Sequence, residues 1–274
     1  MPTLPPEPSS APHQESHQAR AMAESFGVDA ARYDRSRPRY PEAMVQATIA
    51  ASPGREVLDV GTGTGIVARQ FQAAGCNVLG VDPDERMAEF ARRHGTEVEV
   101  STLEKWDPAG RTFDLVVAGQ VWHWVDPVAG AAKAAEVLRP GGRLALFWNA
   151  GQPPTELVAA FAEVYRRLLP DSPITRGLAA DAVRIYLAGC DKAADGLRAA
   201  GGFGEPEQRQ FQWEQRYTRD QWLEFSATTG VATQLPQAAL DDVLGGLGNA
   251  IDEVGGSFTA QYTAVMVTAA RLAT

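Results

Sequence analysis

The chain has 274 residues, of which 45% are hydrophobic and 22% are charged, the composition of a folded globular protein and not of a disordered or fibrous one. Its 34 acidic and 25 basic residues give a formal net charge of −9, and no run rich in Lys or Arg occurs. This balance argues against nucleic acid and anionic membrane as partners, because both attract basic surfaces.

The first segment of the chain is poor in large apolar side chains. Residues 1–24 combine Pro, Ser, Gln and His, so they predict a disordered tail that cannot offset its ordering entropy. Residues 25–45 follow with aromatic and Arg side chains, and Pro38 and Pro41 are expected to interrupt two helices there. We interpret this second stretch as an N-terminal lid of the domain formed by residues 25–274.

A glycine-rich turn follows the first predicted strand, EVLDVG. Glycines at positions 61, 63 and 65 allow the backbone to turn sharply, and the next run, IVARQFQAAG, has helical spacing. The free amides at the start of such a helix favour an anionic group. The turn therefore predicts a binding site for a flat, partly anionic ligand.

Strands and helices alternate over the next 75 residues. NVLGVD, VEVST, FDLVVAG and GRLALFW are predicted strands, and ERMAEFARRHG and PVAGAAKAAEVL are predicted helices. Such βαβ units predict a doubly wound α/β fold with a mostly parallel sheet. After Trp148 we expect a helical insertion at residues 150–206, then a strand near Glu207 to Trp213, two helices and a last strand, FTAQYTAVMVTA.

The glycine spacing weakens a dinucleotide-binding interpretation. A G-x-G-x-x-G fingerprint that starts at Gly61 would need glycine where Ile66 stands. Asp82, at the end of the second strand, could accept hydrogen bonds from two ribose hydroxyls or could cap the following helix. Asp84 serves as that cap at least as well, so we favour the ribose role for Asp82.

Five motifs occur in a fixed order along the chain: RPRYP, DVGTGTG, STLE, AGQVWHWVD and LRPGGRLALFWN. Together they resemble class I S-adenosylmethionine-dependent methyltransferases, in the small-molecule branch that includes trans-aconitate methyltransferase-like proteins. The resemblance implies a Rossmann-like, seven-stranded sheet with an antiparallel last strand and an insertion after the fifth strand. It also implies S-adenosyl-L-methionine as cofactor and S-adenosyl-L-homocysteine as product.

The resemblance also implies which residues meet the cofactor. Gln120 would lie beside the methionine moiety, Thr102 and Leu103 beside the adenine, and Tyr33 and Arg37 would close over the ligand. Many relatives have Asp at the Thr102 position, and a surface salt bridge is an alternative role for Arg37. The cofactor-binding residues implied in full are Tyr33, Arg37, Asp59, Gly61, Thr62, Gly63, Asp82, Pro83, Thr102, Leu103 and Gln120.

His123 is the candidate catalytic base, because an imidazole can take a proton near neutral pH. Its position between Trp122 and Trp124 also suits a hydrogen-bonded packing residue, and this alternative is the stronger one. No metal-ligand pattern occurs, since ribose binding and helix capping account for the acidic residues 82 and 84.

The sequence therefore predicts a methyltransferase for a small-molecule acceptor, with an oxygen nucleophile favoured, acting as a monomer or homodimer. A nucleotide-binding oxidoreductase and a catalytically inactive binding protein remain alternatives. The two cysteines, Cys76 and Cys190, form no CxxC pair, and neither a signal-peptide pattern nor a long apolar run occurs. These features predict a cytoplasmic protein without a membrane anchor.

Overall fold

The computed structural model describes residues 25–170 and 182–273, so the predicted tail at residues 1–24 lies outside the described residues. The strands are β1 Glu56–Val60, β2 Asn77–Asp82, β3 Glu97–Val100, β4 Phe113–Gly119, β5 Leu138–Gln152, β6 Glu207–Thr218 and β7 Ser257–Ala270. The helices are α1 Ala30–Ser36, α2 Glu42–Ala50, α3 Ile66–Ala73, α4 Glu85–Arg93, α5 Pro127–Val137, α6 Thr155–Leu168, α7 Ala182–Ala200, α8 Arg219–Ala227 and α9 Gln237–Glu253.

The seven strands form one sheet in the order β3-β2-β1-β4-β5-β7-β6. The first five strands are parallel neighbours, and the β5-β7-β6 end is antiparallel, which confirms the predicted Rossmann-like, mostly parallel sheet. β1 and β4 are buried almost throughout, as expected for parallel strands covered on both faces. β5 and β6 extend beyond the predicted apolar runs, because their antiparallel neighbour β7 is itself 14 residues long.

One compact unit, the sheet unit, consists of residues 39–148, 187–211 and 264–274. Helices α2 and α3 pack apolar side chains on the sheet, with Met44 and Phe71 almost fully buried. Tyr40 meets Phe147 of β5 edge-on, with ring centroids 4.7 Å apart. Burial of these faces stabilises the positions of β1 and β4, and the candidate site lies at the ends of these strands.

Within the described residues, the second compact unit, the aromatic unit, consists of residues 25–38, 149–170, 182–186 and 212–263. Its core joins α6, α8 and α9 through stacked and edge-on rings, among them Phe161, Trp222 and Phe258. Strands β5, β6 and β7 contribute residues to both units. The predicted lid at residues 25–45 and the predicted acceptor cover at residues 150–206 stay predictions.

Local chemistry explains how the N-terminal helices begin and end. The Asp29 side chain caps α1 by accepting from the Arg32 backbone N–H at 2.9 Å. Pro38 follows α1 and Pro41 precedes α2, so the break predicted at these prolines is confirmed. Among the described residues, no helix is both long and apolar enough to cross a membrane.

Candidate active site

The turn between β1 and α3 requires glycine at three positions. Gly61, Gly63 and Gly65 have φ of +62°, +55° and +84°, a left-handed region that side chains disfavour. A Cβ on Gly61 would lie 2.2 Å from Val121 Cγ2, so packing alone excludes a side chain there. The nearest atom to a Cβ on Gly63 is 4.0 Å away, so open space beside this residue is available to a ligand.

Asp82 supports this turn from the end of β2. Its carboxylate accepts the Gly63 backbone N–H at 2.8 Å through Oδ2 and the Asp84 N–H at 2.8 Å through Oδ1. Only 7% of Asp82 is exposed, and burial raises the pKa of its carboxyl to about 6 against these two hydrogen bonds. Asp84 caps α4 by accepting the Arg86 N–H, so the capping role predicted for Asp84 is confirmed.

Asp59 lies at the end of β1, 1% exposed. The Thr62 hydroxyl donates to its Oδ2 at 2.6 Å, whereas its buried Oδ1 has no partner in hydrogen-bonding geometry among the described residues. Burial raises the pKa of Asp59 to about 7; the Thr62 hydroxyl and the Ala68 N–H oppose the rise, and the negative charge of Asp82 adds to it.

Thr102 and Leu103 follow β3, where a short 3-10 helix spans Leu103–Lys105. Thr102 Oγ1 is buried, and within the described residues it neither accepts nor donates a hydrogen bond. The Leu103 side chain is 3% exposed and serves the core. Pro83, by contrast, is exposed beside the Asp82 carboxylate. This end of the sheet thus presents one unsatisfied hydroxyl.

Gln120 follows β4 with φ of +58°, one of two residues other than glycine with positive φ in the described chain. Its backbone N–H donates to the Phe147 carbonyl at 2.9 Å, which anchors the turn, and its side-chain Oε1 is buried with no partner in the described part of the chain. A strained backbone costs about 1 to 3 kcal/mol and is found preferentially at functional sites. The structure therefore supports a functional role for this turn.

Parallel pairing places these unsatisfied atoms along one edge of the sheet unit. The registers Asp59↔Gly80, Asp82↔Val100 and Gly119↔Phe147 align the carboxyl ends of the strands, where ligands bind in open α/β sheets. Among the described residues, the buried atoms that lack partners there include Asp59 Oδ1, Thr102 Oγ1 and Gln120 Oε1, together with Thr64 Oγ1 in the glycine turn and Trp122 Nε1 after the β4 turn. A buried acceptor is costly unless a donor reaches it. These residues fit a ligand with amino and cationic groups, as S-adenosylmethionine has.

His123 lies in the short 3-10 helix Trp122–Trp124, next to the Gln120 turn. Its ring centroid is 4.7 Å from that of Trp124, and burial lowers the pKa of the imidazole to about 4. In the described part of the chain no hydrogen bond engages this ring. His123 is therefore a neutral imidazole at pH 7 with a nitrogen lone pair available, so the structure leaves both predicted roles open.

Tyr33 and Arg37 belong to the aromatic unit. Arg37 follows α1, and its Nη2 donates to the Thr228 carbonyl at 2.5 Å, while the guanidinium lies 4.5 Å from the Tyr33 ring centroid. This arrangement orders the end of α1 through a hydrogen bond and a cation–π contact. The predicted contact of the two side chains with a cofactor stays a prediction.

One polar pair in the aromatic unit was not found from the sequence. The hydroxyls of Tyr217 and Tyr262 lie 2.8 Å apart and are buried, and burial raises the pKa of both phenols. A Cβ on Gly151 would lie 2.3 Å from the Tyr262 ring, so the pair depends on that glycine. Residues 45 positions apart form no local motif, so no sequence signal marked them.

Among the described residues, no cluster of three or more His, Cys, Asp or Glu could hold a metal ion.

Comparison with known proteins agrees with this geometry. Residues 58–146, which include the glycine turn and the β4 turn, match a family model described as a methyltransferase domain. An uncharacterized methyltransferase of Mycobacterium tuberculosis is 39% identical over 132 residues, which are 47% of this chain and 54% of the relative. A ubiquinone biosynthesis O-methyltransferase of Hahella chejuensis is 35% identical over 131 residues, 44% of this chain and 55% of that protein. The chain thus spans about half the length of the curated relatives it matches.

Solved structures share the fold. A protein of Anaeromyxobacter dehalogenans assigned as a type II methyltransferase aligns with a TM-score of 0.60 and 24% identity, over 86% of this chain and 97% of that one. A phosphoethanolamine N-methyltransferase of Haemonchus contortus, solved with S-adenosylhomocysteine, aligns with a TM-score of 0.53 and 15% identity, over 94% of this chain and 60% of that one. At these identities the likeness establishes the fold.

Proposed function

We propose that this chain, which contains a class I S-adenosylmethionine-dependent methyltransferase domain, transfers a methyl group to a small-molecule acceptor, with an oxygen nucleophile favoured. The observation behind the proposal is the row of buried, unsatisfied atoms of Asp59, Thr102 and Gln120 beside the glycine turn. The curated relatives named as O-methyltransferases support the oxygen nucleophile at about one third identity.

The cofactor-binding residues would act through hydrogen bonds and charge. The open space at Gly63 admits the ligand close to the backbone, and Asp82 holds that turn while its remaining lone pairs accept ribose hydroxyls. Thr102 Oγ1, buried and unsatisfied, would meet a polar edge of the adenine, and the equally unsatisfied Gln120 Oε1 would face the methionine moiety. When bound, S-adenosylmethionine supplies an electrophilic methyl group and a neutral leaving group.

The remaining work of the protein is to orient the acceptor and to exclude water. Holding the nucleophile in line with the methyl group converts a bimolecular step into a unimolecular one. A base role for His123 is part of the proposal, since its imidazole is neutral at pH 7, but burial lowers its pKa to about 4 and makes it a weaker base than an ordinary histidine. A carboxylate acceptor would need no base, so the role of His123 depends on the acceptor.

The proposed partners follow from charge and composition. A net charge of −9 favours a small acceptor over a nucleic acid. Cys76 and Cys190 are both free and buried, which supports the cytoplasm as the proposed location. For the quaternary structure we keep the proposal of a monomer or homodimer.

The test combines cofactor binding with turnover. Calorimetry with S-adenosylmethionine, S-adenosylhomocysteine and NAD is expected to show binding of the first two only. A panel of phenolic, carboxylate and amine acceptors is then screened by release of S-adenosylhomocysteine, with Asp82→Ala as the binding-deficient control. Release with one acceptor class and not in the control supports the proposal.

Each other outcome has a distinct meaning. Binding of NAD without S-adenosylmethionine would restore the oxidoreductase alternative, which gains no support from the methyltransferase family match. Tight binding of S-adenosylmethionine with no release from any acceptor class would favour a binding protein without catalysis.

A further inference from the structure

We propose that Asp59 makes the site discriminate between the positively charged cofactor and its product, and that cofactor binding expels a proton from the free protein. The inference rests on the proposed function. It goes beyond the assignment of Asp59 to the cofactor site, because it states which property of the ligand the residue selects. The charge on sulfur is the property that the reaction itself removes.

The geometry supplies an uncompensated pair of carboxyl groups. Asp59 is 1% and Asp82 is 7% exposed, and they end the neighbouring strands β1 and β2. Among the described residues neither forms an ion pair; Asp59 accepts a hydroxyl and is further stabilised in its charged form by the Ala68 N–H, and Asp82 accepts two backbone N–H groups. A buried charge without a counter-charge is unfavourable, so the pair requires either a proton or a cationic ligand.

The charged groups on the surrounding elements do not supply that cation. On β2, Asp82 adds negative charge to the environment of Asp59. At the start of α4, Asp84 is paired with Arg86 at 2.7 Å, which occupies that guanidinium. On α3, Arg69 donates to the Thr64 carbonyl at 2.6 Å and forms no ion pair with either carboxylate.

The proton is therefore the counter-charge in the free protein. Burial raises the pKa of Asp59 to about 7 and that of Asp82 to about 6, so near neutral pH the pair holds part of one proton. S-adenosylmethionine brings a sulfonium and an ammonium, whereas S-adenosylhomocysteine has a neutral thioether. The first ligand thus stabilises the ionised pair more than the second and displaces the proton more completely.

The test is isothermal calorimetry at pH 6.0, 7.0 and 7.5, repeated in two buffers of different ionisation enthalpy. We expect the affinity for S-adenosylmethionine to rise about fivefold from pH 6.0 to 7.5, with release of about half a proton at pH 7.0. The affinity for S-adenosylhomocysteine is expected to rise by less than about twofold, so the ratio of the two dissociation constants widens with pH.

Two variants separate Asp59 from its neighbours. Asp59→Asn keeps an acceptor for the Thr62 hydroxyl, and we expect it to abolish both the proton release and the change of ratio with pH. Asp84→Asn is the matched control, since it removes a carboxylate at an ion-paired position and Asn still caps α4. Loss of its negative charge lowers the pKa of Asp82, but the proton release at Asp59 and the change of ratio with pH are expected to remain.

The outcomes distinguish this inference from the proposed function. Equal pH profiles for both ligands, without proton release from the wild type, would overturn the inference and leave the methyltransferase proposal intact. Proton release that survives in folded Asp59→Asn would overturn the assignment to Asp59. Absence of binding by either ligand at every pH would overturn the proposed function and the inference with it.

Discussion

Replacing Asp59 by Asn should change the stability of the ligand-free protein in a pH-dependent way. Burial raises the pKa of this carboxyl from 3.8 to about 7, so the unfolded chain loses the proton at lower pH than the folded protein. The free energy of unfolding of the wild type therefore falls as the pH rises from the pKa of Asp59 in the unfolded chain to its pKa in the folded protein. Asn does not titrate, so the free energy of unfolding of the variant rises relative to that of the wild type over this pH interval.

The magnitude follows from the interval between pH 5 and about 7, where the unfolded chain is ionised and the folded protein is not. At about 1.4 kcal/mol per pH unit, the variant's free energy of unfolding should rise by about 2 to 3 kcal/mol relative to the wild type between pH 5 and 8. For a chain of this size that corresponds to about 5 to 10 °C in Tm.

Urea denaturation, followed by circular dichroism at pH 5, 6, 7 and 8, measures the difference in free energy of unfolding between the variant and the wild type. Urea is uncharged, so it does not screen the electrostatic interactions being measured. Any pH-independent cost of the substitution cancels, because only the change with pH is compared. Asp114→Asn is the control: Asp114 accepts the Glu56 N–H and pairs with Arg139, and these partners lower the pKa of its carboxyl. Its loss should give a constant destabilisation from pH 5 to 8, since both of its pKa values lie below that range.

Parallel stability curves for the wild type and Asp59→Asn would refute the reasoning. They would mean that Asp59 is ionised in the folded protein over the whole range, through solvent or a cation near Oδ1. Asp59 would then hold no proton for the cofactor to displace.

Further expectations concern the cofactor, the base and the N-terminal segment. Asp82→Ala should weaken S-adenosylmethionine binding by about tenfold or more in calorimetry, through the loss of charge-assisted hydrogen bonds, in a protein whose circular dichroism stays native. Gly63→Val should abolish that binding by filling the open space beside the turn, and retained affinity would make the turn a simple connection. His123→Asn should lower turnover of a hydroxyl acceptor with cofactor affinity unchanged; equal turnover in the variant assigns His123 to packing. Deletion of residues 1–22 should leave activity intact. Deletion of residues 1–38, which spares buried Tyr40, should lower cofactor affinity, because it removes the proposed lid. Two folded truncations with equal activity would exclude the lid.

The sequence alone determined the elements and the turn that define the fold. Alternating apolar runs and helical spacing predicted β1 to β5 and their helices in order, and the antiparallel last strand is confirmed. The glycines at positions 61 and 63 predicted a sharp turn, which the structure forms with left-handed backbone at both residues. Pro38, Pro41 and Asp84 marked helix boundaries as well. These features are local: they depend on backbone dihedrals, capping groups and periodicity within a few residues.

Only the tertiary structure decided how these residues behave chemically. The sequence placed Asp59 and Asp82 near a ligand, but their burial without a cation, and hence their raised pKa values, depends on what the sheet and helices pack around them. The steric need for Gly61 comes from Val121, 60 residues away. The Tyr217–Tyr262 pair and the two compact units likewise depend on distant segments. Burial and non-local contacts follow from strand order, which no local pattern specifies, so the charge of this site was decided by the fold.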